Sequence, residues 1–207
     1  LEVGSFVLLA ALISSLSETQ MAADQIALQV CQFSFLPAYA VSEAASVLAG
    51  QAVGARRDDL VLPVAHLCLR VAGAYTLACS LVFVGFGRLI AAGFTGDAAL
   101  ATTAVHLLYV AAVFQTFDGA NIAARSILRG VGDVRFAAVV GVVTAWVMTP
   151  PLAWLLGWRA GLGAFGGWLG LCGECVIGAL VLWHRLERGR WRAVARATRP
   201  VEERLVA

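Results

Sequence analysis

Four polar side chains share one helical face in the stretch from Phe114 to Arg135, which begins in an apolar segment and ends in a basic, glycine-containing turn. Residues spaced by three, three and four positions lie on the same side of a helix. The four with this spacing are Gln115, Asp118, Asn121 and Arg125. A carboxylate within the hydrocarbon of a membrane is costly, and such residues face a bundle interior or a water-filled cavity. We therefore expect Asp118 to be a functional residue, with Gln115 and Asn121 beside it.

A second carboxylate lies in the last long apolar segment, within a stripe of small residues. Gly166, Gly170, Glu174 and Gly178 follow one another at intervals of four. Small residues at this spacing let two helices approach closely. We expect Glu174 to face a neighbouring helix near the middle of the bilayer. It would act there as a hydrogen-bonding group between helices or as a proton relay.

The composition is that of an integral membrane protein. Of 207 residues, 60% are hydrophobic and 14% are charged, whereas about 25% of residues are charged in soluble domains. The net charge of +2 is too small to indicate a nucleic-acid partner. The five cysteines all lie in apolar segments, where they are typical of packing residues.

Six apolar segments are long enough to cross a membrane, which takes about 20 residues. We predict helices at about 1–16, 22–48, 60–86, 98–127, 136–156 and 162–186. The predicted fold is therefore all-α, a six-helix transmembrane bundle over residues 1–186 followed by a basic tail over 187–207. The chain starts inside an apolar segment without an initiator Met. We interpret it as a fragment whose N-terminal part is missing.

Arginine placement predicts the orientation of the bundle, because basic residues stay on the cytoplasmic side. One side would carry twelve arginines: Arg56 and Arg57, Arg125, Arg129 and Arg135, and the seven from Arg185 to Arg204. The other side would carry Arg88 and Arg159. The C-terminus is therefore expected in the cytoplasm.

Several local features make predictions about helix ends. Ser15–Gln20 is polar and predicts a loop, after which Asp24 would cap the second helix at its N-terminus. Pro37 is expected to kink that helix, and Pro150 with Pro151 to break or bend the fifth. Five tryptophans near helix ends predict an aromatic belt at the membrane interface. They are Trp146, Trp154, Trp158, Trp168 and Trp183.

Several stretches, in this order, resemble the multidrug and toxic compound extrusion (MATE) transporters. They are FLPAYAVSEAASVLAGQAVGA at Phe35–Ala55, FQTFDGANIAARSILRGVGDVR at Phe114–Arg135, GLGAFGGWLG at Gly161–Gly170 and RLERGRW at Arg185–Trp191. The family has twelve helices in two six-helix lobes, and the chain is similar to the C-terminal lobe. The resemblance implies a secondary active exporter, not an enzyme. It would exchange cationic or amphiphilic drug-like compounds for H⁺ or Na⁺ by alternating access.

The resemblance also implies roles for particular residues. Glu2 matches the family's cation-binding glutamate and Asp118 its cation-binding aspartate, and both would be metal ligands if the coupling ion is Na⁺. Asp24 stands where the family often has His. No cofactor is implied besides the coupling ion. The implied partners are small substrates, the bilayer and the N-terminal lobe, in the inner (plasma) membrane.

Three other interpretations remain open. Flippases for lipid-linked oligosaccharides share the wider superfamily architecture, but their cavities usually need several basic residues, and here only Arg70 is plausible as an internal cation, which weighs against them. An intramembrane aspartyl protease would pair Asp133, in the G-x-G-D sequence Gly130–Asp133, with Asp118. Asp133 is instead expected at a turn between arginines. The third is a lobe that does not transport, for example a subunit that pairs with a separate N-terminal lobe.

Overall fold

The computed structural model describes residues 2–14 and 17–198. Over this part of the chain the protein consists of seven α-helices without any strand. They are α1 (Glu2–Ser14), α2 (Glu18–Gly54), α3 (Val61–Phe94), α4 (Ala98–Gly130), α5 (Val134–Leu152), α6 (Ala164–Glu187) and α7 (Trp191–Thr198). A short 3₁₀ turn, Asp58–Leu60, precedes α3, and a π-helix, Ala153–Arg159, continues α5. The predicted all-α fold is thus observed, and α1 to α6 correspond to the six predicted segments.

Four of the described helices are long and apolar enough to cross a membrane. They are Asp58–Phe94, Ala98–Gly130, Val134–Arg159 and Ala164–Glu187. Helix α1 is described over 13 residues. Helix α2 is 37 residues long, but it carries acidic residues and several glutamines along its length. The division into a six-helix lobe and a cytoplasmic tail stays a prediction.

The start of α2 differs from the sequence prediction. Its N-cap is Ser17, whose side chain accepts a hydrogen bond from the backbone N–H of Gln20 at 3.2 Å. Glu18–Gln20 is therefore helical, and the predicted loop is wrong there, while Ser15 and Leu16 lie outside the described residues. A serine is as good an N-cap as an aspartate. The helix then runs without interruption through Pro37 to Gly54.

Asp24 is therefore not a cap, and that prediction is wrong. It lies inside α2 with 3% of its surface exposed. The indole N–H of Trp168 on α6 donates to Asp24 Oδ1 at 2.9 Å. Trp168 is fully buried, so it does not belong to an interfacial belt. Because a buried carboxylate needs a donor, this pair ties α2 to α6.

Helix α5 loses its regular hydrogen bonding where two prolines follow each other. Proline lacks a backbone N–H and clashes with the preceding turn. The α-helical part ends at Leu152, directly after Pro150 and Pro151, and the next seven residues form the π-helix. The predicted break is confirmed at this position.

Helix α4 is the centre of the bundle and packs against α2, α3 and α6, while α6 also packs against α5. Two apolar clusters fill the interior. The first apolar cluster includes Leu9, Ile13, Leu107, Leu108 and Trp168. The second apolar cluster includes Ile127, Leu128, Leu182, Leu186 and Trp191. Along each of α2 to α6, buried polar residues stand between the members of the two clusters.

These buried polar residues form what we call the polar layer. It consists of Ser34, Thr76, Ser80, Gln115, Asn121, Thr149 and Glu174. The layer contains two of the residues with the predicted spacing on α4 and the carboxylate from the glycine stripe. The core thus positions the candidate site between two apolar halves.

The glycine stripe on α6 faces neighbouring helices, as predicted. A Cβ added at Gly166 would lie 2.5 Å from the carbonyl carbon of Leu156. One added at Gly170 would lie 3.2 Å from the carbonyl oxygen of Thr149, and one at Gly178 2.8 Å from Asn121 Nδ2. Glycine therefore permits close contact of α6 with α5, its π-helical continuation and α4.

We predict that Gly166→Ala destabilises the protein by about 1–3 kcal/mol, because the new methyl group meets backbone atoms that have little room to move. Gly85→Ala on α3 is the matched control, since a Cβ there meets nothing within 4 Å. That change should be neutral or stabilise by up to about 1 kcal/mol. Thermal unfolding of the natural protein that carries this chain, in detergent, measures both. Equal melting temperatures for the two variants would contradict the close packing of α6.

Candidate functional site

A cavity of about 620 Å³ opens between α2, α4 and α6, with one contribution from α3. The four residues with the predicted spacing on α4, Gln115, Asp118, Asn121 and Arg125, all line it. Glu174 lines it from α6. The structure therefore brings together every predicted site residue whose side chain it describes. The side chain of Glu2 lies outside the described residues.

Asp118 is half-buried on the wall of this cavity. The thiol of Cys175 on α6 donates to Asp118 Oδ1 across 3.6 Å. A thiol is a weak donor, so this contact compensates little of the cost of keeping a carboxylate from water. Asp118 therefore retains capacity to bind a proton, a cation or a positively charged ligand.

Glu174 has a stronger protein partner than Asp118 has. It is 7% exposed, and the hydroxyl group of the fully buried Thr149 donates to Glu174 Oε2. This bond joins α6 to α5. Glu174 thus faces a neighbouring helix as predicted, and its position on the same cavity wall makes it a second acidic group within the site.

Gln115 is engaged in a network that joins three helices. Its Oε1 accepts a hydrogen bond from the hydroxyl of Ser34 on α2 at 2.6 Å. Its Nε2 donates to Ser80 Oγ at 3.0 Å and to the carbonyl oxygen of Thr76 at 3.3 Å, both on α3. Gln115 is 6% exposed. This geometry favours a role in positioning α4 over direct contact with a ligand.

Asn121 differs from Gln115 in having an acceptor that is not paired. Among the described residues, its Oδ1 is the buried side-chain atom without a hydrogen-bond partner. Asn121 is 4% exposed and borders the cavity. An unpaired buried acceptor is costly, and a donor group of a ligand or a water molecule would satisfy it. Asn121 is therefore the amide of this site best suited to bind a ligand.

Sequence reasoning missed the opposite wall of the cavity. Gln25, Gln29 and Gln32 on α2 line it, together with Phe35 and Tyr39. The two rings are stacked with 5.6 Å between their centroids. The three glutamines are spaced by four and three residues, so the helical-face rule that identified Asp118 would also have found them. Amide groups beside aromatic rings suit an amphiphilic ligand.

Basic residues lie at one end of the cavity. Arg125 and Arg129 line it, and Arg129 forms a salt bridge with Glu43 on α2. The hydroxyl of Ser126 donates to the same carboxylate at 3.0 Å. Arg70, the internal cation expected from the sequence, is exposed on α3 and is not among the lining residues. That expectation is wrong.

Asp133 does not form a carboxylate pair. It is buried at the turn between α4 and α5, and Arg185 Nε donates to Asp133 Oδ2 at 2.5 Å. Two acidic groups sharing a proton are required by an aspartyl protease, and a carboxylate held by an arginine cannot take that role. The described part of the chain also contains no cluster of three or more His, Cys, Asp or Glu residues that could hold a metal ion.

Comparison with known proteins identifies relatives of the chain. Residues 1–155 match the MatE family. The chain is 35% identical over 187 residues to "Probable multidrug resistance protein NorM" of Xylella fastidiosa (strain Temecula1 / ATCC 700964), covering 89% of this chain and 39% of that protein. It is 36% identical over 193 residues to the protein of the same name from Bradyrhizobium diazoefficiens, covering 90% and 41%. The chain thus spans about two fifths of the length of these relatives.

Solved structures show the same fold. An outward-facing multidrug resistance MATE family transporter of the MOP superfamily superposes with a TM-score of 0.83 at 19% identity, over 93% of this chain and 43% of that chain. A MOP superfamily transporter from Pyrococcus furiosus gives 0.81 at 18% identity, over 92% and 43%. The family match covers far more than half of the 207 residues. The chain therefore belongs to the MatE family.

Proposed function

We propose that this chain forms one lobe of a secondary active multidrug exporter. The exporter exchanges cationic or amphiphilic compounds for H⁺ or Na⁺ by alternating access. The observation that carries this proposal is the pair of acidic side chains, Asp118 and Glu174, on the wall of one largely apolar cavity. The names of the relatives support it, since they describe multidrug resistance proteins.

The cavity suits drug-like cations because it combines large apolar and aromatic surfaces with few charged groups. Asp118 supplies the negative charge, and Asn121 with the glutamines of α2 supplies hydrogen bonds. A carboxylate of this kind can hold a proton, a sodium ion or a cationic substrate, but not two of them well at once. Competition for Asp118 then couples inward flow of the ion to outward flow of the substrate.

Alternating access requires a second lobe, because the two halves of such transporters move against each other around a site between them. The lobe formed by α1 to α6 supplies one wall of that site. We place the protein in the inner membrane with its C-terminus in the cytoplasm, as the arginine distribution indicates. Glu2 remains the proposed second cation ligand.

We predict that Asp118→Asn lowers drug efflux to the level of cells without the transporter. The amide keeps the size of the side chain but carries no charge for a proton or cation to neutralise. Accumulation of a fluorescent cationic drug, in cells expressing the natural protein that carries this chain, measures the effect at matched expression. Glu174→Gln should reduce efflux less, because the amide oxygen can still accept the Thr149 hydrogen bond.

The matched control is Asp97→Asn on the same helix. Asp97 is the exposed N-cap of α4 and accepts from the N–H groups of Ala99 and Leu100. Asparagine caps helices as well as aspartate does, so efflux should be unchanged. Wild-type efflux from the Asp118→Asn variant would remove Asp118 as the coupling residue and leave Glu2 and Glu174 as candidates.

A flippase for lipid-linked oligosaccharides is the second candidate, and the cavity arginines favour it. Arg125 and Arg129 could face an anionic pyrophosphate, although Arg129 is already paired with Glu43. Loss of drug efflux in the wild type, with retained translocation of a lipid-linked pyrophosphate in vesicles, would support this function. Absence of both activities would support the third interpretation, in which the chain is a lobe that does not transport.

We predict that Asp133→Asn destabilises the protein but leaves the transport rate per folded molecule unchanged. Removing one partner of a buried ion pair costs up to about 5 kcal/mol, and an amide that still accepts a hydrogen bond should cost less. Thermal unfolding and efflux normalised to folded transporter separate the two effects. Unchanged stability with complete loss of activity would point instead to a chemical role for Asp133.

A further inference from the structure

A second groove lies on the outer surface of the bundle, away from the transport cavity. It has a volume of about 460 Å³ and is lined by Phe136 of α5, Leu180, Val181, His184 and Arg185 of α6, and Arg190. It lies near the ends of α5 and α6 that the arginine distribution places in the cytoplasm. None of these residues takes part in the transport site.

The groove is apolar toward the middle of α6 and cationic toward its end. Leu180 is 66% exposed and Val181 is 39% exposed, so both present apolar surface to the membrane. His184 and Arg185 follow four residues later and therefore lie one helical turn, about 5–6 Å, nearer the helix end on the same face. This order matches a phospholipid, whose acyl chain lies in hydrocarbon and whose phosphate lies at the interface.

The cationic end of the groove is held in place by the fold. The Arg185 guanidinium donates to Asp133 and lies 4.0 Å from the centroid of the Phe136 ring. Arg190 follows Gly189, whose positive φ of 64° makes the turn into α7. The next residue, Trp191, is fully buried and donates its indole N–H to the carbonyl oxygen of Leu186 at 3.1 Å. Arg190 is thereby fixed beside the end of α6.

Positive charge predominates around this end of the groove. Arg185 and Arg190 line it, and Arg188 and Arg192 each stand two residues from Arg190 along the chain. Two acidic residues of this region have partners of their own. Glu187 contacts His66 of α3 at 2.6 Å, and Asp133 is paired with Arg185 through Nε, so Arg190 is the lining arginine whose charge this pair does not offset. The excess of positive over negative charge favours an anionic ligand. Clusters of arginine at the membrane surface attract anionic lipids.

We propose that this groove binds one anionic glycerophospholipid. Its phosphate is held by Arg190, Arg185 and His184, and one acyl chain lies along Leu180, Val181 and Phe136. Arginine suits the phosphate because its guanidinium offers several N–H donors in a planar arrangement. This site does not depend on the proposed transport function, since it shares no residue with the transport cavity.

The test compares phosphatidylglycerol with phosphatidylcholine of the same acyl chains. Each is added to the natural protein that carries this chain, in an uncharged detergent, and lipid retention is measured by native mass spectrometry. Phosphatidylglycerol should be retained in preference and should raise the melting temperature. Arg190→Gln should weaken its retention about fivefold, as expected for the loss of one cation near an anionic lipid. Equal retention of the two lipids would overturn the proposal.

Two matched variants and one free anion sharpen the test. Arg196→Gln removes the same charge from an exposed position on α7 that does not line the groove, and it should leave retention unchanged. Leu180→Ser leaves every charge in place and should still weaken retention, because the acyl chain loses its apolar wall. If Arg196→Gln has the effect of Arg190→Gln, or if inorganic phosphate raises the melting temperature as much as the lipid does, the groove is not a phospholipid site.

Discussion

The constraint on which this structure depends is that hydrocarbon offers no hydrogen bonds to a buried polar group. The polar layer meets this constraint by pairing its members across helices. Gln115 alone connects α4 to Ser34 on α2 and to Thr76 and Ser80 on α3. Thr149 and Glu174 connect α5 to α6. Because α4 provides the centre of this layer and packs against α2, α3 and α6, the arrangement of the other helices follows from it.

The same constraint separates polar residues that hold the bundle together from those suited to bind a ligand. Asp24, Asp133 and Gln115 each have strong partners on other helices. The partner found for Asp118 is a thiol at 3.6 Å, and Asn121 Oδ1 has none within the described part of the chain. Pairing therefore assigns the first group to stability and leaves Asp118 and Asn121 for exchange with ligands.

Much of the fold was predictable because it depends on local pattern. The lengths of the apolar segments predicted the six helices. The spacing of three and four residues predicted the helical faces that carry Asp118, Asn121 and Glu174, and these faces meet at the cavity. The partners were not predictable. Asp24 and Trp168 are 144 residues apart, and nothing in either neighbourhood indicates that they pair. The hydrogen-bond partners of Gln115 were not predictable for the same reason, since all three lie on two other helices. Gln25, Gln29 and Gln32 were overlooked, although their spacing of four and three residues predicts that they share one helical face.

A site that exchanges ligands needs a fixed backbone and a side chain with weak existing contacts, because binding precision comes from rigid elements. Asp118 has both. On one side of it, Gln115 fixes α4 to α2 and α3; on the other, Ser126 and Arg129 fix α4 to Glu43 on α2. A proton or cation that binds Asp118 competes, among the contacts of the described residues, with the weak thiol hydrogen bond of Cys175. A ligand binding at Glu174 would instead compete with the Thr149 hydrogen bond and disturb the packing of α5 against α6. The geometry thus favours Asp118 as the group that exchanges ions, with Glu174 as its acidic neighbour.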